Sequence, residues 1–157
     1  MRELILLRHA HAESASVGQA DRDRPLSATG VQEARDAGEW LRGQGLRPDR
    51  VLCSPATRTH DTLAELGDIG ATDVREDAAI YEASVGGLIA LVDAHRDANR
   101  LLLVGHNPGL EQLVALLHSG QSGDHRGMPP AGVAVLHLPA DAAIEPGIAT
   151  LAAFWWP

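Results

Sequence analysis

The chain is predicted to fold as an α/β protein: a single domain over residues 1–157, a three-layer αβα sandwich whose mostly parallel sheet carries helices on both faces. Short apolar runs alternate along it with stretches of helical periodicity, the order that builds parallel sheets through right-handed crossovers. Its 157 residues are 45% hydrophobic, enough for one domain with a buried core. Only 3% are aromatic, so that core must be packed from aliphatic side chains, as suits stacked layers.

Leu4-Ile5-Leu6-Leu7 is a continuous apolar run stopped by Arg8-His9, which reads as a first strand buried on both faces. After a polar loop around Ser14 to Arg24, Val31, Ala34, Gly38 and Leu41 recur at helical spacing, with Ser27 placed to cap the helix. Val51-Leu52-Cys53 is a second strand, and Ser54-Pro55 looks like a cap followed by a first-turn proline. Val85, Leu88, Ile89 and Val92 mark another helix. Leu101 to Val104 forms the clearest buried strand, ended by Gly105-His106, and Asn107-Pro108 repeats the cap-and-proline pattern before Leu110, Leu113, Val114 and Leu117. Ser119 to Gly132 lacks periodicity and is expected to be a loop at the rim of a site. Val133 to Leu138 and Ile148 to Phe154 are expected to be closing strands, joined by a turn near Asp141 to Gly147.

Composition excludes several functions. A formal net charge of -8 and a pI near 5.4 argue against nucleic acid as a partner, which calls for a basic surface. All 13 basic residues are arginine, so Schiff-base and P-loop lysine chemistry have no candidate. A lone cysteine, Cys53, excludes an internal disulfide and suits a reducing cytoplasm, where the protein is expected to reside. The apolar run near Met1 is too short for a signal peptide or a membrane span, so no membrane partner is expected.

In open α/β sheets, ligands bind beyond the carboxyl ends of the strands. That rule brings Arg8-His9, Ser54 to Arg58 and His106-Asn107 to one rim. Two histidines and two arginines near helix N-termini favour a dianion, because guanidinium groups bind phosphate bidentately and helix termini add partial positive charge. With no thiolate or acidic metal cage at hand, the group best able to attack phosphorus is an imidazole nitrogen, and His9 is placed for it. Its attacking nitrogen must be unprotonated, so the other is expected to donate to a nearby carbonyl.

Leu6-Leu7-Arg8-His9-Ala10 resembles the Arg-His-Gly signature of the histidine phosphatase superfamily, the phosphoglycerate mutase-like group, with Ala10 in place of Gly. Arg24 to Gly30, Ser54 to Thr59 and Val104 to Pro108 fall in the same order as that family's further segments. The short chain, with Arg24-Pro25-Leu26-Ser27, Ile80 to Ser84 and Gly105 to Gly109, is most similar to the SixA-type phosphohistidine phosphatases. The resemblance implies that His9 is the phosphorylated nucleophile, that Arg8 and Arg58 clamp the phosphate and that His106 is a second phosphate donor. It implies no metal and no cofactor, and a phosphohistidine-bearing protein as substrate. A small phosphate ester, such as a nucleotide or sugar phosphate, is the alternative substrate. A non-catalytic phosphate-binding module is the alternative function, and a mutase is disfavoured by the absence of covering insertions.

Glu82 falls where many members of that superfamily carry an acid for the leaving oxygen, but it can equally favour the start of the helix near Ser84. Arg24 is a candidate for phosphate binding or for ordering its loop. His11, near His9, is read as a loop residue rather than a metal ligand. His60, His95, His118, His125 and His137 are expected at the surface or in loops, and Cys53 as a buried filler. Trp155-Trp156 is expected either to cover an apolar edge or to mark a contact surface.

Overall fold

A computed structural model describes residues 2–121 and 127–157. Six strands form one sheet: β1 (Arg2–Arg8), β2 (Arg50–Cys53), β3 (Val74–Glu76), β4 (Arg100–Gly105), β5 (Val133–Leu138) and β6 (Thr150–Trp155), in the spatial order β3-β2-β4-β1-β5-β6. The first four are mutually parallel, whereas β5 runs antiparallel to β1 and β6 antiparallel to β5. Four helices connect them: α1 (Ala28–Gly43), α2 (Thr57–Glu65), α3 (Val85–Ala94) and α4 (Gly109–Ser119).

The period-two geometry of a strand divides its residues between two cores. Leu4, Leu6, Leu101 and Leu103 face Leu88 and Val92 of α3 and Leu110, Leu113 and Leu117 of α4. Ile5, Leu7, Leu102 and Val104 face the opposite layer, where Ala34, Ala37 and Leu41 of α1 and Leu66 after α2 close the packing. Both faces are covered, so β1 and β4 read as unbroken apolar runs. Each such side chain, once withdrawn from water, contributes about 1.5–3 kcal/mol. The α1–α2 contact depends on Gly38, because a Cβ there would overlap the Leu66 carbonyl. Trp155 stacks on Trp40 with ring centroids 5.5 Å apart, covering the edge of this second core, whereas Trp156 is 55% exposed.

Ser27 caps α1 by accepting from the Gly30 amide, and Ser84 caps α3 in the same way at Gly87. The cap-and-proline reading fails at the other two helices. α2 begins at Thr57 after Ala56 and α4 at Gly109 after a cis Asn107–Pro108 peptide, neither with a side-chain cap. Ser54 and Asn107 have other hydrogen-bond partners, described below. β3 has no counterpart in the sequence reading: its three residues are all exposed and too short to show a pattern. α4 runs to Ser119 and ends on left-handed Gly120. The expected 119–132 loop therefore begins later, and its residues 122–126, His125 among them, lie outside the described residues.

The helix after β1 packs on one face of the sheet and the helix after β4 on the other. Adjacent parallel strands whose connections leave to opposite faces define a switch point, with a crevice at their carboxyl ends. Arg8 lies beside Gly105 in register, so His9 and His106 flank that crevice.

Candidate active site

The peptide after β1 is tied on all sides. The His9 amide donates to the Gly105 carbonyl, the Ala131 amide donates to the His9 carbonyl, and the Ala10 amide donates to Thr62 Oγ1 of α2. Close packing continues at His11, whose carbonyl a Cβ on Gly30 would overlap. In this frame His9 Nδ1 lies 2.7 Å from the Ala10 carbonyl oxygen, which can only accept. Nδ1 therefore carries the proton, and the lone pair of Nε2 is free for nucleophilic attack.

The His106 ring centroid is 5.3 Å from that of His9. His106 Nε2 is 2.8 Å from Ser54 Oγ, which also accepts from the Ala56 amide. In the tautomer where the Ser54 hydroxyl donates to Nε2, neutral His106 carries hydrogen on Nδ1. Ser54 thus orients a histidine rather than capping α2. Tyr81 stands edge-on to His106, with centroids 5.6 Å apart.

Arg58, in the first turn of α2, is 7% exposed. Its Nη1 donates to the Asp21 carbonyl (2.9 Å) and its Nη2 to Asp21 Oδ2 (3.1 Å). The Tyr81 hydroxyl donates to the same Oδ2 at 2.6 Å, and Arg24 Nη1 donates to Oδ1 at 3.0 Å. Hydrogen bonds from Tyr81 and Arg24, followed by the charge of Arg58, hold the Asp21 carboxyl well below the usual range. Arg24 also donates to the Glu13 carbonyl, so its visible work is to order the loop and, through Asp21, to hold Arg58. Arg8 Nη1 donates to the Met128 carbonyl.

Of six buried polar side-chain atoms without a hydrogen-bond partner among the described residues, four belong to this rim: Arg8 Nε, Arg58 Nε, His106 Nδ1 and Asn107 Oδ1. Buried groups left unpaired are rare and point to a partner that arrives with a ligand. Two of the four are guanidinium donors and a third, His106 Nδ1, is a donor in the tautomer just described, the complement of a tetrahedral oxyanion. A cavity of about 410 Å³ opens beside them, lined by Arg58, His106, Tyr81, Glu82, Asn107 and Gln112 among others.

Glu82 is exposed on that cavity at φ 58°, a left-handed conformation uncommon outside glycine, and α3 starts three residues later. Glu82 thus precedes the Ser84 cap of α3 by two residues and lines the cavity that an acid would serve. His11 is turned to Ser27 Oγ, and among the described residues no three His, Cys, Asp or Glu side chains gather to hold a metal. His60 pairs with Glu76 at the surface. Cys53 is buried, with its thiol pushed up to about 12 by desolvation, so it is not a nucleophile. No described helix is long and apolar enough to cross a membrane.

Burial, reinforced by the Arg58 charge, lowers His9 to about 4 and His106 to about 3. Both rings are therefore neutral at pH 7. Carbon-labelled imidazoles followed by NMR are expected to show no titration of either ring between about pH 5.5 and 8, with His9 protonating only near 4. An unfolded histidine takes up its proton near 6.5, so the linked stability is complete above that pH. It is lost as pH falls through 4 for His9 and 3 for His106.

The switch-point crevice with two neutral histidines among arginines is that of a histidine phosphatase, and the chain belongs to the histidine phosphatase superfamily (branch 1), whose family model matches residues 4–89. An uncharacterized protein of Mycobacterium tuberculosis is 40% identical over 94% of this chain and 98% of its own length. Phosphohistidine phosphatase SixA of Escherichia coli is 33% identical over 71% of this chain and 73% of its own. Among solved structures, a Nakamurella multipartitia protein assigned as a phosphohistidine phosphatase SixA superposes with a TM-score of 0.85 at 37% identity, covering 99% of this chain and 96% of that one. The protein histidine phosphatase SixA in complex with tungstate superposes at 0.82 and 26% identity, covering 99% and 97%. The three-layer, mostly parallel arrangement expected from the sequence is the fold of these structures.

Proposed function

We propose that this protein hydrolyses phosphohistidine on a phosphorylated protein through a covalent phosphoryl group on His9. The observation that carries this reading is His9 Nδ1 locked to the Ala10 carbonyl, which leaves Nε2 as a buried, neutral nucleophile beside three unpaired donors. Nε2 attacks phosphorus in line, and the bond from phosphorus to the leaving nitrogen breaks. Arg8, Arg58 and His106 Nδ1 receive the charge on the equatorial oxygens, the preorganised electrostatics on which phosphoryl transfer depends. Water then attacks from the vacated side and regenerates the free ring. All of these steps run on side chains of the chain, without a metal.

The substrate class follows from leaving-group chemistry. A phosphorylated imidazole protonated on its far nitrogen departs as a neutral ring, so it needs no acid at the bridging atom. An alkoxide does need one, and Glu82, the candidate acid, stands exposed to solvent rather than enclosed against the phosphate. The likeness to SixA proteins points the same way. The natural partner is then a phosphorelay-type protein, in a cytoplasmic setting that suits one free, buried cysteine.

The test compares a phosphohistidine-bearing protein with small monoesters, including a nucleotide and a sugar phosphate. We expect kcat/KM to be at least about 100-fold higher for the phosphohistidine, a difference near 2.7 kcal/mol in transition-state stabilisation. Clear preference for a monoester would assign the site to that substrate instead.

A further inference from the structure

One of the four unpaired buried atoms has the wrong polarity for phosphate. The Asn107 Nδ2 donates to the Met128 carbonyl (2.9 Å) and to Glu111 Oε2 (3.3 Å), and neither of these can donate in return. The amide orientation is therefore determined, and Oδ1 is left as a buried acceptor without a partner. The same Met128 carbonyl accepts from Arg8 Nη1, so Asn107 is held in register with a phosphate-binding arginine. A carbonyl oxygen on a residue that lines one cavity with Arg58 and His106 repels the oxygens of a phosphate. Its partner must bring an O–H or N–H of its own.

Asn107 lines the cavity that Arg58 and His106 share with the phosphate pocket, whereas His9 does not line it. A leaving group seated in that cavity, on departing, gives its place to water. A water molecule there must turn a lone pair towards phosphorus, which an acceptor for one of its protons achieves. We propose that Asn107 Oδ1 orients the water that hydrolyses phospho-His9; this rests on the covalent reading given above.

In the step, the water oxygen bonds to phosphorus and the P–Nε2 bond breaks, its electron pair returning to Nε2. His9 is left neutral, with its Nδ1–H still donating to the Ala10 carbonyl. Both water protons leave on the product as dihydrogen phosphate, which then equilibrates with solvent, so Asn107 gains and loses no proton. Without this alignment, water still reaches phosphorus but attacks from fewer productive orientations.

Rapid-quench kinetics with phosphoramidate as phosphodonor separate the two half-reactions. In Asn107→Leu, formation of phospho-His9 is expected to stay within about threefold of wild type while its hydrolysis slows about 10- to 100-fold, so that the phosphoenzyme becomes the main steady-state species. Asn107→Asp keeps an acceptor but adds negative charge, so the pattern should reverse: hydrolysis within about fivefold, formation slowed by repulsion of the donor. Hydrolysis unchanged in Asn107→Leu, or both steps falling together in that variant, would overturn the proposal, the latter by showing that Asn107 acts through Met128 and Arg8. A wild-type enzyme that turns over with no adduct on His9 would instead remove the covalent reading itself.

Discussion

His9→Asn is expected to bind a tetrahedral oxyanion such as tungstate within a few-fold of wild type and yet to hydrolyse phosphohistidine at least about 10⁴-fold more slowly. The two halves of this result come from different atoms. The unpaired donors belong to Arg8, Arg58 and His106, all of which the substitution leaves in place. On the covalent reading the attacking lone pair is that of His9 Nε2, and among the described residues neither Cys53, a protonated thiol at neutral pH, nor His106, whose Nε2 is engaged by Ser54, replaces it. Asparagine retains a polar group near the Ala10 carbonyl, so the loop between β1 and α1 should hold. Turnover by stopped assay and oxyanion binding by calorimetry check the two halves separately. Equal turnover by variant and wild type would eliminate the covalent route, and loss of binding with turnover would instead make His9 a part of the phosphate clamp.

The elements legible in the sequence are those whose residues answer to one strong local demand. β1 and β4 stand out because burial on both faces forces an unbroken aliphatic run, and α1 because Ser27 caps a regular apolar stripe. The meeting of His9 with His106 follows from topology, since both stand just beyond the ends of adjacent parallel strands. What escaped the sequence is set by long-range partners. Ser54 and Asn107 look like helix caps because local chemistry alone cannot reveal that their side chains serve His106 and Met128. The Met128 carbonyl, which orients both Arg8 and Asn107, is a backbone group that no residue type advertises. Asp21 and Tyr81 are 60 positions apart and join only where the loop before α1 reaches Tyr81 and Arg58. The one available hint was the Asp21–Arg24 spacing of three, which suits a local ion pair.

That loop is the reason to expect a large effect at Arg58 and a small one at Arg24. Arg58→Ala removes a buried guanidinium whose Nε faces no protein partner, and loss of one such preorganised charge donor reduces kcat/KM by about 10²–10³. Lysine does not repair it. Two of the Arg58 nitrogens are committed to the Asp21 carbonyl and carboxylate, leaving the rest of the planar fork for the substrate, and a single ammonium cannot divide itself in that way. Arg58→Lys should therefore remain at least about tenfold impaired, mostly through KM and oxyanion affinity. Arg24→Ala loses donors to Asp21 and to the Glu13 carbonyl only, and Asp21, 54% exposed, keeps Arg58 and Tyr81. A pair that exposed is worth at most about 1 kcal/mol, so kcat/KM should fall no more than about fivefold. Parallel measurement of kcat/KM and oxyanion inhibition across the three variants reads this ordering directly. An Arg24 variant as damaged as Arg58→Ala would mean that Arg24 itself binds the phosphate, with the loop moving to bring it there.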